Sequence, residues 1–272
     1  MKKKQLNSSQ FPNSVYHKSG SGYPIILLHG FGEDSRIWKN QVASLEQNYT
    51  CICPDIAGSG CSELQNPSIS LDDLADFIQE ILVKEQIEKT ILLGHSMGGY
   101  IALAFVERFS TFLDGFGLIH SSAFADDETK KDTRRKAIRL IEQEGKVPFL
   151  KAMIPNLYSE ASKVRIQEEI NFHLTMALET SSISLIAYYN AMIARPDRTN
   201  CLKETTMPVL FVFGTDDNAI PIAQGLSQTA MPSFSQVEIL EHVGHTSMLE
   251  ASEKLNSILN SFCKCTLNYK NV

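Results

Sequence analysis

Residues 94–99 read Gly94-His95-Ser96-Met97-Gly98-Gly99. Before them lies Thr90-Ile91-Leu92-Leu93, a short apolar run that reads as a buried strand. After them comes Tyr100-Ile101-Ala102-Leu103-Ala104-Phe105-Val106-Glu107-Arg108, rich in helix formers. A serine is thus expected on a sharp strand-to-helix turn, with a glycine two residues to either side. The glycines leave room for a close backbone approach, and the serine hydroxyl is pushed outward. The Met97 N–H stands at the start of the following helix, where the dipole favours negative charge. The pentapeptide alone arises by chance in about one chain in ten of this length. Its weight comes from the strand before it, the helix after it and the partners found elsewhere.

Outward from this turn, strands and helices alternate. Upstream, Pro24–Leu28 reads as a strand that runs into His29-Gly30-Phe31-Gly32, a loop whose glycines bring backbone N–H groups close to a ligand. Asp34 or Ser35 can cap a helix from Ser35 to Glu46, in which Trp38 is a core residue. Tyr49–Pro54 is a strand followed by a second glycine-rich loop, residues 55–62, which is not a dinucleotide fingerprint. Ser70 caps a helix whose Leu71, Leu74, Ala75, Ile78, Ile81 and Leu82 make one apolar face. Residues 1–15 read as a loose tail and Val15–Lys18 as a short strand. Downstream, Leu113–His120, Pro208–Phe213 and Ser235–Leu240 are strands, and a terminal helix is expected to about Phe262. This order predicts an α/β fold, a mostly parallel doubly wound sheet with helices on both faces. The alternation breaks between Ser121 and about Thr206. The expected organisation is therefore a core of residues 1–120 and 207–272 with a helical lid of residues 121–206 inserted in it. Basic residues Lys130, Lys131, Arg134, Arg135 and Lys136 read as a solvated helix face.

Composition narrows the function. Of 272 residues, 43% are hydrophobic and 21% charged, and the net charge is −6, which offers no electrostatic case for nucleic acid. No run is long enough to span a membrane. Lys2-Lys3-Lys4 is followed by polar sequence and no apolar region, so no secretion signal is read and a cytoplasmic location with reduced thiols is expected. Of the six cysteines, Cys51 and Cys53 share one face of a strand and read as buried. Cys263-x-Cys265 lacks the usual metal-binding spacing, and no metal site is expected.

Ser96, one of Asp216 or Asp217, and His245 each follow a strand, and loops at the carboxyl ends of parallel strands converge on one edge of the sheet. Serine needs a base to take its proton, histidine titrates near neutral pH, and a carboxylate fixes the imidazole tautomer. The chain resembles a lidded serine hydrolase of the α/β-hydrolase superfamily. The matching stretches are His29-Gly30-Phe31-Gly32, Asp55-x-x-Gly58-x-Gly60-x-Ser62, Gly94–Gly99, Gly214-x-x-Asp217-x-x-x-Pro221 and Gly244-His245, in the family's order. The resemblance implies Ser96 as nucleophile, Asp217 as acid, His245 as base, and an oxyanion hole from the backbone N–H groups of Phe31 and Met97. It implies a small-molecule acyl substrate, an ester, thioester or lactone, and no cofactor. The short N-terminus implies that the family's first strands are reduced to one, and Gly-Phe-Gly in place of a triple glycine suits small acyl groups.

His29 is expected to shape the oxyanion loop, rather than act as a base, and to border the pocket. His120 follows a strand at the same sheet edge and is expected to border it too, with Tyr189 and Met192 of the lid on its wall. His95 reads as packing or polar support, and His17, His173 and His242 as ordinary surface or packing residues. Two other activities suit the same residues: a slow-turnover signalling receptor, and a carbon–carbon bond hydrolase or lyase. The oligomeric state is not encoded in any of these motifs.

Overall fold

The computed structural model describes residues 1–6 and 8–269. Eight strands form one sheet: β1 (Lys2–Leu6), β2 (Ser14–Ser19), β3 (Tyr23–Leu28), β4 (Tyr49–Pro54), β5 (Thr90–His95), β6 (Leu113–Ile119), β7 (Val209–Gly214) and β8 (Ser235–Leu240). Their spatial order is β1-β2-β4-β3-β5-β6-β7-β8, and β2 alone runs against the rest. Strands β3 to β7 are buried almost throughout, as expected of parallel strands covered on both faces. The chain passes from β3 outward to β4, then crosses back to β5 on the other side of β3. The loops after β3 and β5 therefore leave the sheet side by side in opposite directions, which opens a crevice where they part.

The helices are α1 (Lys39–Leu45), α2 (Leu71–Lys84), α3 (Met97–Phe109), α4 (Glu128–Glu144), α5 (Lys146–Met153), α6 (Glu160–Arg165), α7 (Gln167–Glu179), α8 (Ser182–Ala194), α9 (Thr199–Glu204), α10 (Ile222–Leu226), α11 (Ser247–Glu250) and α12 (Ser252–Tyr269). The expected Ser70 cap is present: Ser70 Oγ accepts from the Asp73 N–H at 3.1 Å, and Asp73 Oδ2 accepts from the Ser70 N–H at 2.8 Å. Helices α4 to α9 fall between β6 and β7, where the strand–helix alternation breaks. No described helix is long and apolar enough to cross a membrane.

Several expectations are corrected. Residues 2–6 are not a loose tail but strand β1, paired with β2 from Lys2 opposite Lys18 to Leu6 opposite Ser14. The family's first strands are thus two, not one. Strand β1 lies at the edge of the sheet and buries only Leu6, so its lysines carry no apolar signal; charged residues are how edges avoid pairing with other chains. The helix expected over Ser35–Glu46 begins as a 3₁₀ turn, Ser35–Trp38, capped by Asp34, and continues as α1. Helix α12 runs on past Phe262 because Leu255, Leu259, Phe262, Cys263 and Thr266 extend one buried stripe. Cys263 is buried and Cys265 exposed, so these two thiols face different ways.

Candidate active site

Ser96 occupies the position before the first residue of α3, with φ 49° and ψ −112°. A positive φ at a residue with a side chain costs of order 1–3 kcal/mol and persists only where the surroundings enforce it. Here they do. The Ser96 N–H donates to Ile119 O at 2.9 Å, and Ser96 O accepts from Ser121 Oγ at 2.7 Å. A Cβ on Gly98 would lie 2.7 Å from His29 O, and one on Gly94 would lie 2.5 Å from Gly99 N. The turn is therefore pressed against the end of β3 and the start of the His29–Gly32 loop. A serine at this position ordinarily caps its helix. The Ser96 hydroxyl makes no such bond, and Ser96 lines a cavity.

Asp217 and His245 meet after β7 and β8. His245 Nδ1 donates to Asp217 Oδ2 at 2.8 Å, and Asp217 is buried. The other oxygen of Asp217 accepts from the backbone N–H groups of Ala219 and Ile220 at 2.8 and 2.9 Å. Burial opposes the charge on Asp217, but the two adjacent imidazoles, His245 and His120, hold the carboxyl well below its ordinary range. Asp216 is exposed, and its Oδ1 accepts from the Thr215 hydroxyl at 2.9 Å. His245 lines the same cavity as Ser96.

The cavity has a volume of about 470 Å³. Phe31, Tyr189 and Met192 lie on its wall, and the rings of Phe31 and Tyr189 stack at 4.3 Å. His29 and His120 do not lie on it, contrary to expectation. His29 is fully buried: Nδ1 donates to Gly30 O at 2.9 Å and Nε2 accepts from the Ile56 N–H at 3.0 Å. It ties the loop after β3 to the loop after β4. His120 is also fully buried, with φ 50°. Its Nδ1 donates to Asp217 Oδ2 at 3.0 Å, and its Nε2 accepts from Ser247 Oγ at 2.8 Å. One donor and one acceptor describe a neutral ring, and burial lowers its pKa in agreement. His120, Asp217 and His245 place ligand-type atoms within 4.8 Å of one another. Their contacts of 2.8 and 3.0 Å have the length of N–H···O hydrogen bonds.

Four further residues support the site, of which Glu33 and Glu250 were not singled out from sequence. Glu33, on the cavity wall, accepts from the Gly30 N–H at 2.6 Å and from His95 Nδ1 at 2.9 Å. His95 Nε2 donates to the carbonyl of His245 at 2.8 Å. Both nitrogens of His95 thus face acceptors, which the imidazolium alone satisfies. Burial works against both charges, yet each partner's charge prevails: the Glu33 carboxyl is held at about 2, and the His95 pKa is raised. His173, read from sequence as ordinary, is fully buried behind this pair, its Nδ1 bonded to Tyr158 at 2.9 Å. Burial, with the positive potential of His95 and His245, depresses it to about 4 against the pull of Glu33. Glu250 is the fourth. Its buried carboxylate accepts from the N–H groups of Gly244, Thr246 and Ser159 at 3.0, 3.1 and 3.0 Å, and so grips both neighbours of His245. A carboxylate three residues beyond Gly30 and another five beyond His245 were the signals for Glu33 and Glu250. Neither residue spacing corresponds to a known local motif.

The profile described as alpha/beta hydrolase fold matches residues 23–252. A thermophilic esterase from Thermogutta terrifontis, solved with malate bound, is 26% identical and superposes with a TM-score of 0.89 over 93% of this chain and 94% of its own. The enol-lactonase of Burkholderia xenovorans shares the fold at 19% identity, with a TM-score of 0.86 over 94% of this chain and 99% of its own. The AB hydrolase superfamily protein YisY of Bacillus subtilis is 26% identical over 89% of this chain and 92% of its length. With the strand order, the turn at Ser96 and the family match over most of its length, this chain belongs to the α/β-hydrolase family.

Proposed function

We propose that this protein is a serine hydrolase of small esters, thioesters or lactones, acting through an acyl-enzyme. The observation that carries the reading is the pairing of His245 Nδ1 with buried Asp217 at 2.8 Å while His245 and Ser96 share one cavity wall. Ser96 Oγ attacks the carbonyl carbon and His245 Nε2 takes its proton. Asp217 keeps the other imidazole proton on Nδ1 and stabilises the cation that forms. The N–H groups of Phe31 and Met97 receive the developing oxyanion. The C–O or C–S bond then breaks, and His245 returns the proton to the leaving alcohol or thiol. Water, deprotonated by His245, attacks the acyl-enzyme and releases the acid. The helices of residues 121–206 act as a lid, with Tyr189 and Met192 limiting the acyl group. The esterase and lactonase activities named for the structural neighbours agree with this chemistry.

A fluorophosphonate probe followed by peptide mapping tests the assignment. Ser96 is the residue expected to carry the adduct, and rapid turnover of short aryl esters is expected before labelling. Labelling of another serine refutes the nucleophile. A single slow turnover instead favours a ligand-sensing receptor, and cleavage confined to carbon–carbon bonds favours a hydrolase of that kind.

A further inference from the structure

Away from Ser96 and His245, the cavity wall carries Tyr100, Lys130 and Arg134. These two cations were expected on a solvated helix face; instead they border the cavity. Arg134 Nε donates to buried Asp126 Oδ2 at 2.6 Å, and its terminal nitrogens make no hydrogen bond among the described residues. Lys130 Nζ donates to Ala219 O at 3.1 Å and forms no ion pair among the described residues. Behind them, the guanidinium of buried Arg195 lies 3.8 Å from the centre of the Tyr100 ring and 3.0 Å from Asp126 Oδ1.

Two carboxylates oppose these three cations. Asp126 is held between Arg134 and Arg195. Asp127, also on the wall, accepts from the Lys130 N–H at 2.7 Å as the cap of α4. Within this group one positive charge remains in excess, and Glu33, elsewhere on the wall, is paired with His95. Its field registers on Tyr100: burial pushes the phenol up, yet Arg195, Lys130 and Arg134 draw its pKa below the ordinary value. A wall with free guanidinium and ammonium donors, and a single uncompensated charge, matches a monoanion. The planar fork of Arg134 suits a carboxylate.

We infer that the substrate carries a carboxylate remote from the scissile carbonyl, and that Arg134 and Lys130 bind it on the wall they share with Tyr100. The inference rests on the reading of Ser96 as nucleophile for the word substrate, but the anion site itself does not. The protein therefore selects monoesters or lactones of acids that bear a second, free carboxylate over neutral esters of equal length. A charge-assisted hydrogen bond supports a preference of about tenfold to a hundredfold in kcat/KM.

The test compares p-nitrophenyl monoesters of succinic, glutaric and adipic acids with neutral p-nitrophenyl esters of the same acyl length, in the wild type, Lys130→Gln and Arg134→Gln. Calorimetric titration of Ser96→Ala with glutarate and with inorganic phosphate reads binding without turnover. At least one charged ester is expected to be preferred by tenfold or more, and Lys130→Gln to remove most of that preference. Arg134→Gln leaves Asp126 with one partner fewer; Lys130→Gln breaks no ion pair and keeps the test valid if Arg134→Gln folds poorly. Equal kcat/KM for charged and neutral esters, with no glutarate binding, overturns the proposal. Phosphate binding more tightly than glutarate overturns the carboxylate assignment. Glutarate binding that Lys130→Gln weakens, with no ester hydrolysed, upholds the anion site and refutes the hydrolase reading instead.

Discussion

Replacing Asp217 by asparagine separates orientation of the base from mere occupancy of the site. The Asp217 carboxylate accepts four hydrogen bonds, two from backbone N–H groups at Oδ1 and two from His120 and His245 at Oδ2. Asparagine keeps an oxygen for Ala219 and Ile220 but turns an NH₂ group toward two imidazole N–H groups. His245 relieves the clash by moving its proton to Nε2, where it can no longer accept one from Ser96. His120 relieves it by the same shift, because the Ser247 hydroxyl can rotate to accept. The fold thus tolerates the change while the base is lost. The expected fall in kcat is on the order of 10⁴, the loss known for this change in a serine protease, or about 5.5 kcal/mol of barrier. Asp216→Asn removes a charge from an exposed residue whose side-chain hydrogen bond from Thr215 an amide oxygen also accepts. It is expected to stay within about threefold, as for an ordinary surface substitution. The assay is kcat on a short aryl ester, for two variants matched in melting temperature. A larger loss for Asp216→Asn means that the loop is aligned one residue out. Losses below tenfold for both mean that neither aspartate orients the base.

Glu250→Ala removes the acceptor of three buried N–H groups. At about 1–3 kcal/mol for each unpaired group, the loss is about 3 kcal/mol or more, a fall of roughly 6–12 °C in melting temperature for a chain of this size. An unchanged melting temperature and unchanged kcat would show that the His245 loop holds its shape without it. Stability is also expected to fall in acid. As pH drops from 6.5, the ordinary value for histidine, toward about 4, the unfolded chain binds a proton at His173 that the folded chain refuses. The slope is about 1.4 kcal/mol per pH unit, and His120 acts in the same direction. The raised pKa of His95 acts at the other end: its stabilisation is complete below 6.5 and is lost as pH rises through its folded value. Denaturant titrations from pH 4 to 7 on the wild type and His173→Gln check this, the variant showing the shallower slope; identical slopes count against a buried neutral His173.

The strands and the turn were legible because their signals are local. Five of the six strands expected outside the N-terminal region and its neighbour are apolar runs buried on both faces, and Gly94 and Gly98 stand where a Cβ would strike backbone. That Ser96, His245 and one of Asp216 or Asp217 come together was also legible, because the ends of parallel strands meet at one edge whatever lies between them; the choice of Asp217 came from the family resemblance. What tertiary structure decided is the role of each polar residue whose partner is distant in sequence. His120 and His29 read as pocket residues because they follow strands, but their nitrogens are engaged by Asp217 and Ser247 in one case and by Gly30 and Ile56 in the other. Glu33 meets His95 across 62 residues, and Glu250 meets Ser159 across 91. Strand β1 was invisible because it lies at the sheet edge and buries only Leu6, so its lysines carry no apolar signal. Lys130 and Arg134 read as solvated because charge on an amphipathic helix ordinarily faces water, and only the packing of α4 over the cavity turns them inward. A sequence determines which segments must be buried; which buried polar groups satisfy one another depends on how those segments come together, since hydrogen bonds between distant residues leave no periodicity to read.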